Sequence, residues 1–160
     1  MGFLERILLL IYFPQFKSPN NSRFESFFLS ILKKDNPFKK NKNKSKIIFP
    51  EKIIRNEDKR TSLIIKGIPY EMSKKEIRNC IEKYGNLNFL YIVKDLNNEK
   101  KNTSIAYVNV INYKSIIPIY MNLRNLEIIK NEQIYTIKIS YSNAQGKDEL
   151  KKYIKQNKFL

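Results

Sequence analysis

Leu63-Ile64-Ile65-Lys66-Gly67-Ile68-Pro69 and, further along, Thr103-Ser104-Ile105-Ala106-Tyr107-Val108-Asn109-Val110 decide how this chain folds. Both stretches are rich in β-branched residues and alternate with a period of two. In the first, Leu63 and Ile65 fall on one face, and Ile64 and Lys66 on the other. In the second, Ala106, Val108 and Val110 share the inner face. Thr103, Ile105, Tyr107 and Asn109 share the outer one. A small residue at Ala106 lets a helix approach the sheet closely. Gly67-Ile68-Pro69 closes the first strand.

The segments around these strands supply the remaining elements. Ser73 with Glu76 three positions on is a capping box. Ile77, Ile81 and Tyr84 then make an apolar stripe with Cys80 beside it, and Gly85 ends the helix. Phe89–Val93 reads as a strand with Leu90 and Ile92 inward and Phe89, Tyr91 and Val93 outward. Asp95–Lys101 is a charged, Asn-rich loop. Tyr113–Leu123 carries Ile116, Ile117, Tyr120 and Leu123 at helical spacing, and Pro118 inside it predicts a kink or a late start. Ile134–Ser142 reads as a further strand with Ile137, Ile139 and Tyr141 inward and Lys138 and Ser140 outward. Asp148–Gln156 is a last helix bearing Leu150, Tyr153 and Ile154. The order strand, helix, strand, strand, helix, strand defines an α+β fold, the ferredoxin-like split βαβ sandwich. Such a sheet is expected to leave one face open.

The chain of 160 residues holds 31 Lys and Arg against 15 Asp and Glu, a formal net charge of +16. That balance suits an anionic partner, nucleic acid or an acidic membrane surface. The richness in Lys, Asn and Ile is also what translated AT-rich DNA produces, so part of the excess has a compositional source. There is no His and one Cys. An internal disulfide, a Cys-based zinc cage and an imidazole base are excluded. No Gly-rich phosphate loop or paired-carboxylate spacing appears, so no enzyme, cofactor or metal is expected. Cys80 reads as a small apolar filler. The expected compartment is reducing: nucleus, cytoplasm or both.

Residues 1–57 form a basic extension. Ile7–Phe13 is apolar but far shorter than the ~20 residues of a spanning helix, and Pro14-Gln15-Phe16-Lys17 offers no small-residue cleavage site. A tail, an anchoring helix and a targeting segment stay open, and membrane association is not the expectation. Residues 22–34 open on a capping box, Ser22 and Glu25, and place Phe24, Phe27, Phe28, Ile31 and Leu32 on one helix face. That helix either packs on the domain or is unstable alone, or else it binds a protein partner or a membrane surface. Residues 35–46 are a Lys/Asn-rich linker. The expected domain covers 58–146, with a helix and tail over 147–160.

With these elements placed, residues 58–159 resemble the C-terminal RNA-recognition motif (RRM) of Mei-two-like proteins, regulators of meiosis and differentiation. The matching features are Arg60-Thr61, Ile65-Lys66-x-Ile68-Pro69, Phe89-x-Tyr91, Asp95, Ala106-Tyr107-Val108-Asn109, Ile116-Ile117-Pro118-x-Tyr120, Tyr141 and Gln145-Gly146-Lys147. The resemblance implies binding of single-stranded RNA by stacking bases on rings of the two central strands. This chain departs from that pattern. Thr103, Ser104 and Ile105 stand where the octamer wants a basic residue, Gly and an aromatic. Ile64 replaces the hexamer aromatic. Gly67 and Tyr70 stand where the family commonly has Asn. Tyr107 alone keeps a usual stacking ring.

RNA contacts are therefore expected at Tyr107, Ile64, Ile105 and Asn109 of the motif strands, with Tyr91, Lys66, Lys138 and Arg60 as candidates to compensate for the missing rings, Arg60 by stacking or by binding phosphate. Lys94 and the last helix's Lys147, Lys151, Lys152 and Lys155 are further phosphate candidates. The leading expectation is a regulatory single-stranded RNA-binding protein. The alternative is an RRM-fold interaction module whose aliphatic face, Ile64 and Ile105, takes a peptide or helix. A covered Tyr107 and Ile105 would favour the alternative; exposed Tyr91 and Tyr107 would favour RNA.

Overall fold

The computed structural model describes residues 46–94 and 102–157. The expected helix at 22–34, the linker up to residue 45, the run Ile7–Phe13 and the loop Asp95–Lys101 lie outside them.

A short helix α1 (Pro50–Ile54) precedes β1 (Ser62–Pro69), α2 (Lys74–Glu82), β2 (Leu87–Lys94) and β3 (Thr103–Val110). A 3-10 turn at Tyr113–Ser115 leads into α3 (Ile116–Leu123). Then come β4 (Glu127–Lys130), β5 (Gln133–Thr136), β6 (Lys138–Tyr141) and α4 (Lys147–Gln156). The main sheet has the order β2-β3-β1-β6 with every neighbouring pair antiparallel. This is the expected split βαβ sandwich.

The alternation predicts the inner face correctly. Leu63, Ile65, Leu90, Ala106, Val108, Val110 and Tyr141 are buried, as are Ile77 and Ile81 of α2 and Ile116, Ile119 and Leu123 of α3. The capping box closes as expected: Ser73 Oγ accepts from Glu76 N at 3.2 Å, and Glu76 Oε2 accepts from Ser73 N at 2.7 Å. α3 begins late. Its first helical residue is Ile116, so Pro118 falls in the first turn, where a missing N–H would have had no partner within the helix. Cys80 is exposed rather than a core filler.

The strand expected over Ile134–Ser142 is two strands. β5 turns back on β4, with Ile129 opposite Ile134, while β6 joins β1. Asn131 and Glu132, both at positive φ, link β4 to β5. Two-residue hairpins need that geometry, but a Glu is a poor signal for it, which hides the turn from a sequence reading. Ile137 is the buried joint: its N–H donates to the Leu126 carbonyl, and its carbonyl accepts from Asn125 N, both at 2.9 Å.

Candidate nucleic-acid interface

The outer face of the sheet is not open. All eight residues of β3 are buried, so the strand is covered on both sides. The cover is α4. Its Leu150 and Ile154 form one apolar cluster with Ile105 and Tyr107, and Ile64, Phe89, Tyr91, Val93, Ala144 and Tyr153 pack around it. Tyr107 is 5% exposed and Ile105 8%. The Tyr107 and Tyr153 rings lie 6.2 Å apart, tilted by 49°, a favourable aromatic arrangement. The expectation that Tyr107 and Ile105 stand exposed is therefore corrected. The physical reason is that the stripe Leu150, Tyr153 and Ile154 must be buried somewhere, and the ring-poor, aliphatic outer face is the matching surface.

What steers α4 across the sheet is a polar latch at its N-terminus. The Gln145 side chain accepts from the backbone N–H groups of Thr61 and Ser62, each at 3.0 Å. Its amide donates to the Ser62 carbonyl at 3.1 Å and the Ser142 carbonyl at 2.7 Å. Gly146 N donates to Ser62 Oγ at 2.9 Å. Gly146 itself has φ +87° and ψ 155°, a conformation almost confined to glycine. The latch continues into β3. Asn109 Oδ1 accepts from Thr61 Oγ1 and Ser62 Oγ, both at 2.7 Å, and Asn109 Nδ2 donates to Asn88 Oδ1 at 2.8 Å. Asn109, expected on the outer face as an RNA contact, is thus a buried bracing residue. Sequence reasoning placed Gln145 and Gly146 in a family pattern without their role. A Gln-Gly pair directly before a helix was the available signal.

Replacing Gln145 by Ala removes four hydrogen bonds and strands two backbone donors near the start of β1. Each stranded group costs about 1–3 kcal/mol, offset where water reaches it. The expected loss of stability is about 2–4 kcal/mol in urea unfolding. A loss near zero would mean water substitutes fully and the latch does not hold α4.

Arg60 is engaged elsewhere. Its Nε and Nη2 donate to the two Asp58 carboxylate oxygens at 2.9 and 2.6 Å, and its guanidinium lies 3.7 Å from the centroid of the Tyr141 ring. The guanidinium thus stacks on a ring of the protein itself, with its charge matched by Asp58. Burial alone would raise the Asp58 carboxyl. The Arg60 hydrogen bonds and charge outweigh it and hold the group below the ordinary range. Burial and the adjacent Asp58 charge push the Tyr141 hydroxyl well up.

Lys66 and Lys138 are where the alternation puts them, exposed and directly opposite each other on β1 and β6. Among the described residues neither has a carboxylate partner. Opposed like charges on neighbouring strands repel. Tyr91 and Ile64 are half-buried at the edge of the α4 cluster. Lys147, Lys151, Lys152 and Lys155 are exposed on α4, with Lys152 3.3 Å from Glu149. Among the described residues no cluster of His, Cys, Asp and Glu could hold a metal, and no helix is long and apolar enough to cross a membrane.

A four-stranded antiparallel sheet of this order, with two helices behind it, defines an RNA-recognition-type domain. Residues 60–155 match the family described as RNA recognition motif 2, and the chain belongs to that family. Among curated relatives, protein MEI2-like 5 of Arabidopsis thaliana is 32% identical over 142 residues, covering 82% of this chain and 17% of the relative. Protein MEI2-like 4 of the same plant is 35% identical over 104 residues, covering 62% and 11%. The chain thus spans less than a fifth of the length of either. Among solved structures, an RRM of RNA15 aligns with a TM-score of 0.43 and 16% identity, over 53% of this chain and 92% of that one.

Proposed function

We propose that this chain is a regulatory single-stranded RNA-binding protein that holds the sugar-phosphate backbone at the Lys66 and Lys138 end of its sheet. The observation that carries the reading is that pair. Two exposed, unmatched cations stand side by side on the outer sheet surface of an RNA-recognition-family fold, where α4 does not bury them. Their mutual repulsion is relieved when a phosphate sits between them. The +16 charge of the chain draws a polyanion toward the surface. In the state described, the rings of β2 and β3 pack against α4 and do not receive bases.

The test is a titration of the full chain with short random single-stranded RNA across a salt series. Each neutralised phosphate contributes about 0.7 to the slope of log affinity against log salt for single strands. Replacing both Lys66 and Lys138 by Ala removes the contact to that shared phosphate and is expected to weaken binding and to reduce that slope by about 0.7. Affinity at low salt no greater than for a neutral polymer would overturn the reading.

One observation favours the alternative, an interaction module whose sheet face takes a helix. That face already holds a helix, α4, on Ile64, Ile105 and Tyr107. A partner in trans would have to displace it. Failure of the RNA titration would move the balance to this reading.

A further inference from the structure

Tyr70 is the most exposed ring among the described residues: it is 51% exposed, while every other aromatic side chain there is buried or half-buried. Its base is fixed. Pro69 before it is fully buried, and Tyr70 N donates to the Asn102 carbonyl at 3.1 Å, tying the loop after β1 to the start of β3. The Lys94 ammonium sits 5.2 Å from the ring centroid, within cation–π range. Register places these groups together. Lys94 pairs with Ser104, Ser104 pairs with Ile68, and Lys66 lies two residues before Ile68, opposite Lys138. With strands about 4.8 Å apart, the outermost strands β2 and β6 are about 14 Å apart across the sheet, so Lys94 and Lys138 mark the two sides of one rim.

We propose that Tyr70 is a nucleobase-stacking position at this rim, outside the closed sheet face, with Lys94 holding the adjoining phosphate. The inference rests on the RNA-binding reading above and names where a base is held. An exposed, backbone-anchored ring beside cations has the parts of a single-strand platform: a π-face for any base and a charge for the backbone. Little side-chain freedom is lost on stacking, because a tyrosine has two rotatable bonds and Lys94 already borders the ring. The rings that would ordinarily serve, on β2 and β3, are packed against α4.

The experiment uses the full chain and short random single-stranded RNA, with an abasic oligonucleotide of the same length alongside. Tyr70→Ala is expected to weaken RNA binding by about tenfold or more and to leave abasic binding unchanged. Tyr70→Phe is expected to bind RNA like the native chain, since stacking needs the ring and not the hydroxyl. Thermal melting should not move for either variant, which separates lost contact from lost fold. A loss under about twofold for Tyr70→Ala, with the Lys66/Lys138 variant still weakened, overturns the stacking site and leaves the RNA-binding reading standing. Equal losses for Ala and Phe also overturn stacking. No RNA binding by the native chain removes the reading itself.

Discussion

Gly67→Ala is expected to destabilise the domain by roughly 2–6 kcal/mol, a large share of the margin of a domain of this size. Two independent terms add. Gly67 has φ +79°, a backbone state that costs an L side chain about 1–3 kcal/mol. A Cβ built there collides with the Thr136 carbonyl oxygen, a backbone atom that no rotamer change can move. Relieving such overlap costs about another 1–3 kcal/mol. The glycine sits in the bulge of β1, between Ile65 and Ile68, where β5 passes over the strand. Gly146→Ala is the internal comparison. Its φ is +87°, but nothing lies within 4 Å of the added carbon, so only the strain term of about 1–3 kcal/mol applies. Urea unfolding of both variants checks this. Equal losses would mean that β5 does not press on β1, and that the bulge is held open by backbone conformation alone.

Leu150→Asp is expected to release α4 from the sheet. Leu150 is fully buried at the centre of the outer cluster, against Ile105 and Tyr107. Removing such a side chain costs about 2–5 kcal/mol, and an ionised carboxylate there has no cation in the cluster to pair with. Moving ten helical residues into water avoids that burial, and a helix that short does not persist alone. The inner core, with Leu63, Ala106, Val108 and Tyr141, lies on the other side of the sheet and does not depend on Leu150. Hydrogen exchange should show lost protection over residues 147–156 with strand amides of β1 and β3 still protected, and a hydrophobic dye should bind the uncovered face. Unchanged protection within α4 would sink the description of α4 as a cover held by its apolar stripe. Simultaneous loss in β1 and β3 would instead make the outer cluster part of one cooperative core.

Much of the fold was legible because strand alternation and helix caps are local. Leu63 and Ile65 could face inward together only on an extended chain, and Ser73 and Glu76 can close their box without help from distant residues. The β4–β5 hairpin was not legible, since Asn131-Glu132 does not advertise a turn with two positive φ values. For the site, period two correctly separated Lys66 and Lys138 from the core. It could not tell an outer face exposed to water from one covered by another element. Asn109 shows the same limit: its position on the outer face was right, but its amide is consumed by Thr61, Ser62 and Asn88.

The amino-acid order alone determined the helices and the strands of the main sheet apart from the β4–β5 hairpin, the inner core and the basic character, because each depends on neighbours a few residues apart. Tertiary structure alone decided that α4 lies over Tyr107, that Arg60 is spent on Asp58 and Tyr141, and that Tyr70 stands out at the rim. An apolar stripe states that a helix must be buried, but not where. The surface it covers is chosen by Gln145 gripping β1 and by the left-handed turn at Gly146, contacts between residues more than eighty positions apart in the first case.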